Sequence, residues 1–128
     1  MKLLLDTHVL LWMFSRSENL SAPARTALSD PENELYFSIA GYWELGIKVS
    51  IGKLTLADDW YDAIPRHMHR NGINWLPILP GHVRTVSALP WLHRDPFDRL
   101  MIAQAQEDSL SIVTSDGTFS EYGVAVVW

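Results

Sequence analysis

Five short apolar runs, separated by stretches of helical length, organise this chain. The runs are Lys2–Leu5, Leu35–Ser38, Trp75–Leu79, Ser111–Thr114 and Val124–Val127, and each predicts a strand. Val9–Phe14 continues directly from the first run as a short helix. Ser21 caps a helix through Leu28, which the Asp30-Pro31 turn ends. Ile39–Ser50 predicts a longer helix, with Ser38 as its cap and Gly52 near its end. Asp58–Arg70 is helical in pattern and closes at Asn71-Gly72, and Pro65 is expected to bend or break it. Pro80–Leu89 predicts a further helix, followed by the loop Pro90–Arg94. In Asp95–Asp108, Asp95 reads as the cap, Pro96 as the first helical position and Asp98 as a first-turn acid. Strands alternating with helices imply an α/β protein whose parallel sheet is covered on both faces.

The 128 residues suit one domain with a sizeable core, and no repeat, low-complexity tract or linker divides them. There is no cysteine, which excludes disulfides and thiolate metal sites and fits a reducing compartment. The opening Met1-Lys2-Leu3-Leu4-Leu5 has the look of a signal peptide, but Asp6 and His8 interrupt it and no small-residue cleavage site follows. No segment is long enough to span a membrane. The formal charge of −5 disfavours general electrostatic binding of nucleic acid, so a polyanionic substrate would need bound cations and a local basic rim.

The chemistry lies in four scattered acids. Asp6 ends the first run and Asp116 follows the fourth, so both sit at carboxyl ends of strands, where α/β sheets collect functional groups. Asp98 is at a helix start on the same edge. Glu44 lies partway along the helix after the second strand and can reach that edge from the side. Each has a plainer reading: a strand-ending turn for Asp6, a helix-dipole partner for Asp98, a turn residue for Asp116 and a solvated helix position for Glu44. Together they point to a site for a divalent cation, because clustered carboxylates repel one another and magnesium or manganese prefers oxygen ligands. A metal-dependent enzyme acting on phosphate esters follows.

Other residues add less. Lys48, Lys53, Arg94 and Arg99 flank the acidic segments and could contact a phosphate backbone or form surface salt bridges, with Arg99 the foremost rim candidate. His67 and His69 point to different sides of a helix and make poor co-ligands. His93 is expected to contact a neighbouring carboxylate, and Ser38 and Thr7 to cap helices or bond the acids. Trp43, Trp60, Trp75 and Trp91 could stack bases but more commonly fill cores and interfaces. The apolar excess of Trp43–Leu56 suits a groove for a partner helix or a dimer contact. Three rival folds fail on their motifs. A haloacid-dehalogenase phosphatase needs an acid where His8 stands, a receiver domain needs a late lysine, and a dinucleotide fold needs a glycine-rich first turn.

The segments Leu4-Leu5-Asp6-Thr7-His8-Val9-Leu10-Leu11-Trp12, Ser38 through Lys48, Gly52-Lys53-Leu54, His93 through Ala105 and Val113-Thr114-Ser115-Asp116 cover nearly the whole length. In this order the chain resembles the PIN-domain ribonucleases, and within them the VapC-like toxins of type II toxin–antitoxin pairs. The resemblance implies a single PIN domain over residues 1–128. It would be a three-layer α/β/α sandwich with a central, mostly parallel five-stranded sheet. Asp6, Glu44, Asp98 and Asp116 would be both the catalytic and the metal-binding residues, holding Mg²⁺, for which Mn²⁺ may substitute. The implied activity is hydrolysis of RNA phosphodiester bonds by metal-activated water. The implied partners are a small, DNA-binding cognate antitoxin, an RNA substrate and a second copy of the chain, all in the cytoplasm. Ser115 departs from the bulkier or basic residue common at that place, so local RNA contacts should differ. The alternative is a PIN-fold module that binds RNA or protein without cutting.

Overall fold

Leu3, Leu4 and Leu5 are all fully buried, and three consecutive buried residues require a strand covered on both faces. The computed structural model describes residues 1–128 and shows how this is met. Strands β1 (Lys2–Leu5), β2 (Glu34–Ser38), β3 (Ile73–Leu76), β4 (Ser111–Val113) and β5 (Val126–Val127) form one sheet in the order β3-β2-β1-β4-β5. Every pairing is parallel. Helices α1 (Thr7–Ser15), α2 (Ala22–Ser29), α3 (Ile39–Ser50), α4 (Trp60–Arg70), α5 (Pro80–Ala88) and α6 (Pro96–Asp108) complete a three-layer α/β/α sandwich. Strand alternation sorts the core. Leu3, Leu5, Leu35, Phe37 and Val113 pack with residues of α1, α2, α3 and α4. Leu4 and Ile112 turn the other way, onto Met101, Ile102 and Ala105 of α6.

Predicted and observed elements agree closely for β1, α2, α3 and α6, whose caps are visible in the side chains. Ser21 Oγ accepts the Ala24 N–H, Ser38 Oγ accepts the Ala40 N–H, and Asp95 Oδ1 accepts those of Phe97 and Asp98. Three expectations are corrected. The third strand is not Trp75–Leu79. It pairs Leu35 with Ile73 through Ser38 with Leu76 and then stops, because Pro77 has no N–H to donate. The last strand holds only Val126–Val127 and not Val124–Val127: the chain leaves a 3-10 turn over Gly117–Tyr122 through Gly123 at φ 78°, and Val124 and Ala125 lead into the strand without joining it. Pro65 does not break α4. A proline there leaves the Tyr61 carbonyl without its helical donor, and the Tyr42 hydroxyl fills the place at 2.6 Å.

Two polar contacts fix the helices that carry the acids. Ser38 Oγ donates to Gln104 Oε1 at 2.6 Å, and Gln104 Nε2 donates to the Pro77 carbonyl, tying the β2–α3 junction to α6. At Gly41, a Cβ would lie 2.7 Å from Phe37 Cε1 and 2.9 Å from Thr7 Oγ1, so α3 approaches α1 as closely as it does only with glycine there.

Candidate active site

The site begins where β1 and β4 end side by side. Leu5 pairs with Val113, and the Asp6 N–H donates to the Val113 carbonyl, which places Asp6 at the sheet edge beside Thr114. Asp6 is buried, and its Oδ2 accepts the Thr114 hydroxyl at 2.8 Å. Thr114 Oγ1 in turn accepts the Asp116 N–H, and Asp116 Oδ1 accepts that of Thr118. Glu44, only 3% exposed, arrives from α3. Its Oε1 accepts the Thr7 hydroxyl at 2.8 Å, and its Oε2 meets Lys48 Nζ at 2.7 Å. The amino end of α6 adds Asp95 and Asp98.

Asp6, Glu44, Asp95, Asp98 and Asp116 line one cavity of about 330 Å³, with Lys48 and His8 at its side. All four acids singled out from the sequence thus meet here. Asp95 is the one missed: its capping role hid it, although its separation from Asp98 places both at the same helix end. His93 joins the group, with Nε2 3.1 Å from Asp98 Oδ2 and 3.5 Å from Asp116 Oδ2. Its Nδ1 accepts the Asp95 N–H, so in the neutral ring the proton sits on Nε2 and points at those carboxylates. Nε2, Asp98 and Asp116 lie within 4.8 Å of one another, but this tautomer makes His93 a donor to the acids and not a metal ligand.

Burial first, and then the charges of Asp95, Asp6, Glu44 and Asp116, push the Asp98 carboxyl up to about 8. Burial also raises Asp6, against the Thr114 hydroxyl and His8, which lower it, and with Glu44, which raises it. At Asp116 burial acts upward but is outweighed by hydrogen bonds from Thr118 and by His93, and the net shift is downward. The bond to Glu44 raises Lys48 against the opposing effect of burial. Five carboxylates lining one cavity, with Lys48 paired to Glu44, supply the hard oxygen donors that suit Mg²⁺ or Mn²⁺.

A pH dependence follows for the metal-free protein. Asp98 and Asp6 hold their protons more tightly folded than unfolded, so the stability they contribute is full below about pH 4 and is lost as pH rises toward about 8. The melting temperature of wild type minus that of Asp98→Asn, followed in EDTA from pH 5 to 8.5, should therefore fall steadily. A flat difference would show that the fold does not hold Asp98 against its charge.

The basic residues fall into place unevenly. Arg99 is not on the rim. It is 4% exposed, and its guanidinium donates to the carbonyls of Pro90, Val86 and Leu89 at 2.8, 3.2 and 3.3 Å. The neighbouring position follows Asp98 around the helix and points into the protein, which adjacency in sequence does not show. Trp91 lies over its outer face, 3.8 Å from ring centroid to Cζ. The Tyr122 hydroxyl secures the same loop, accepting the N–H groups of Leu92 and His93 and donating to the Pro90 carbonyl. Arg94 and Lys53 are exposed. Trp43 and Trp91 are exposed too, while Trp60 packs against the core.

The PIN domain family model matches residues 3–125. The chain belongs to the PIN domain family. Ribonuclease VapC22 of Mycobacterium tuberculosis is 31% identical to this PIN domain over 117 residues, spanning 88% of it and 85% of that protein. Solved structures share the fold at lower identity. VapBC2 from Rickettsia felis, bound to a DNA fragment from its promoter, gives a TM-score of 0.70 at 14% identity, covering 98% of this chain and 97% of that one. VapBC-1 from nontypeable Haemophilus influenzae gives 0.70 at 17%, covering 98% and 96%. DNA-bound VapBC from Salmonella typhimurium gives 0.68 at 15%, covering 98% and 96%. No helix of this PIN domain is long and apolar enough to cross a membrane.

Proposed function

We propose that this chain is a divalent-cation-dependent ribonuclease and the toxin of a type II toxin–antitoxin pair. The observation that carries it is the convergence of five carboxylates on one cavity, of which Glu44 alone pairs with a lysine. Asp6, Glu44, Asp98 and Asp116 would hold Mg²⁺, or Mn²⁺ in its place. A cation bound there supplies a lowered pKa for the attacking water and neutralises charge building on the phosphate. The chain's own residues do the rest. Thr114 and Thr7 fix the carboxylates of Asp6 and Glu44, and Lys48 pairs with Glu44. His93 aims its Nε2 proton at Asp98 and Asp116, and at Asp116 this helps hold the carboxyl below its ordinary value. Hydrolysis by water needs no side-chain nucleophile and would leave 3′-hydroxyl and 5′-phosphate ends.

The relatives support the biological setting. The curated relative is named a ribonuclease, and the structural neighbours are named as VapBC assemblies, two of them with DNA. A small DNA-binding antitoxin is the partner this suggests, in the cytoplasm. For a homodimer, the support is an apolar cavity of about 530 Å³ beside α5, where the exposed Trp43, Val83 and Trp91 meet Phe97.

The test is cleavage of total cellular RNA with fragment ends mapped. Cutting is expected with Mg²⁺ or Mn²⁺, absent in EDTA, and absent from Asp6→Asn. Activity that survives either change ends the proposal. Binding of RNA without cutting would instead indicate the non-catalytic module.

A further inference from the structure

The Gly52-Lys53-Leu54 segment has no role in the carboxylate site, yet the fold spends a sharp turn on it. Helix α3 ends at Ser50, and Gly52 takes φ 75°, a left-handed conformation that turns the chain back. The N–H groups of Lys53 and Leu54 both donate to the Lys48 carbonyl, at 2.9 and 3.2 Å. Leu54 then packs against the core, and Lys53 is left exposed beside the last turn of α3.

There Lys53 lines a second cavity, about 380 Å³, whose floor includes Leu11, Leu45 and Leu54. This cavity shares His8 and Lys48 with the acidic one, so the two adjoin at those side chains. Their charges are opposite. The acidic part has five carboxylates, and the second part has none and carries both lysines. Lys48 is committed to Glu44, whereas Lys53 enters no ion pair in the fold. In an acidic protein, a free cation next to a cation-binding cleft is where the neighbouring phosphate of a bound strand gains most.

Building on the ribonuclease reading, we propose that this basic cavity seats the phosphodiester adjacent to the one being cut, with Lys53 as a positioning residue. The apolar floor would take the ribose or base between the two phosphates. The strand would then cross the site in one direction, from the acids over His8 toward the end of α3.

The experiment uses the full chain with Mn²⁺ and a short oligoribonucleotide cut at one mapped bond. Lys53→Ala is expected to raise KM about ten-fold with kcat changed less than about two-fold, and Lys53→Arg to restore most of the loss. Replacing one flanking phosphate by an uncharged methylphosphonate should cost the wild type a similar factor at a single position, and cost Lys53→Ala nothing more. Unchanged kcat/KM in Lys53→Ala overturns the proposal, as does a methylphosphonate penalty equal in both proteins. So does a Lys53→Ala variant that cuts normally but has lost binding to its antitoxin, which would make the cavity a protein-docking face. A wild type that cuts no RNA under any divalent cation removes the reading underneath as well.

Discussion

Asp98→Asn should make the metal-free protein more stable and the loaded protein inactive. The substitution keeps the shape of the side chain and removes a charge that burial and four neighbouring carboxylates oppose. Near pH 8 the relief should reach about 1–3 kcal/mol, less than the full shift implies because the carboxyl keeps some contact with water. For a chain of this length, that corresponds to a rise of roughly 3–12 °C in melting temperature. If the proposed ribonuclease reading holds, the same change removes one of the cation's ligands, and cleavage should fall by at least about 10³-fold. Saturating Mg²⁺ or Mn²⁺ should reverse the order of stability, because the cation stabilises only the protein that can bind it. Scanning calorimetry of both proteins, with EDTA and with metal, reads out both halves. A variant less stable than wild type in EDTA would mean that the carboxylates are not in electrostatic conflict, and the case for a cation site would lose its main support.

Arg99→Ala should produce the largest loss of stability of any single substitution near the site. The guanidinium is buried and reaches three carbonyls in the segment Val86–Pro90, with the Tyr122 hydroxyl also in range at 3.3 Å. Truncation leaves those acceptors without donors and opens a cavity under Trp91. The expected cost is about 3–5 kcal/mol, a drop of roughly 10–20 °C. Arg99→Lys should recover little, because an ammonium cannot place donors in a planar fork. A thermal melt within about 3 °C of wild type for Arg99→Ala would refute the clamp. Since the clamped loop carries His93, milder variants should also disturb the hydrogen bonds to Asp98 and Asp116.

Much of this was legible before any coordinates. Three leucines followed by Asp6 mark a buried strand with an acid at its mouth, and Asp95-Pro96 marks a helix start, because each depends on local chemistry alone. Pairing register is not local. Ile73 rather than Trp75 begins β3 because of what stands opposite on β2, and a sequence pattern of apolar residues does not carry that information. Pro65 does not break its helix, and the reason lies with a distant partner: Tyr42 satisfies the carbonyl that the proline leaves free. Arg99 misled for the opposite reason. A charge beside an acid looks solvent-facing, but one step along a helix turns a side chain by about 100°. The convergence of Asp6, Glu44, Asp98 and Asp116 was readable because parallel topology sends strand ends and helix starts to one edge. Thr7 was a candidate to bond an acid and does bond Glu44, whereas the Thr114 hydroxyl on Asp6 and the tautomer of His93 required the packed structure.

The hydrogen bond between Thr114 and Asp6 joins residues 108 positions apart. The first strand emerges from the ribosome early, but its acid has no counterpart until the fourth strand has been made and has docked beside it. A growing chain, or one cut short by a premature stop, therefore carries no assembled cluster. Any property that needs the joined acids, cation binding included, therefore arises only after both strands have been made and have docked, and not during synthesis of the first half.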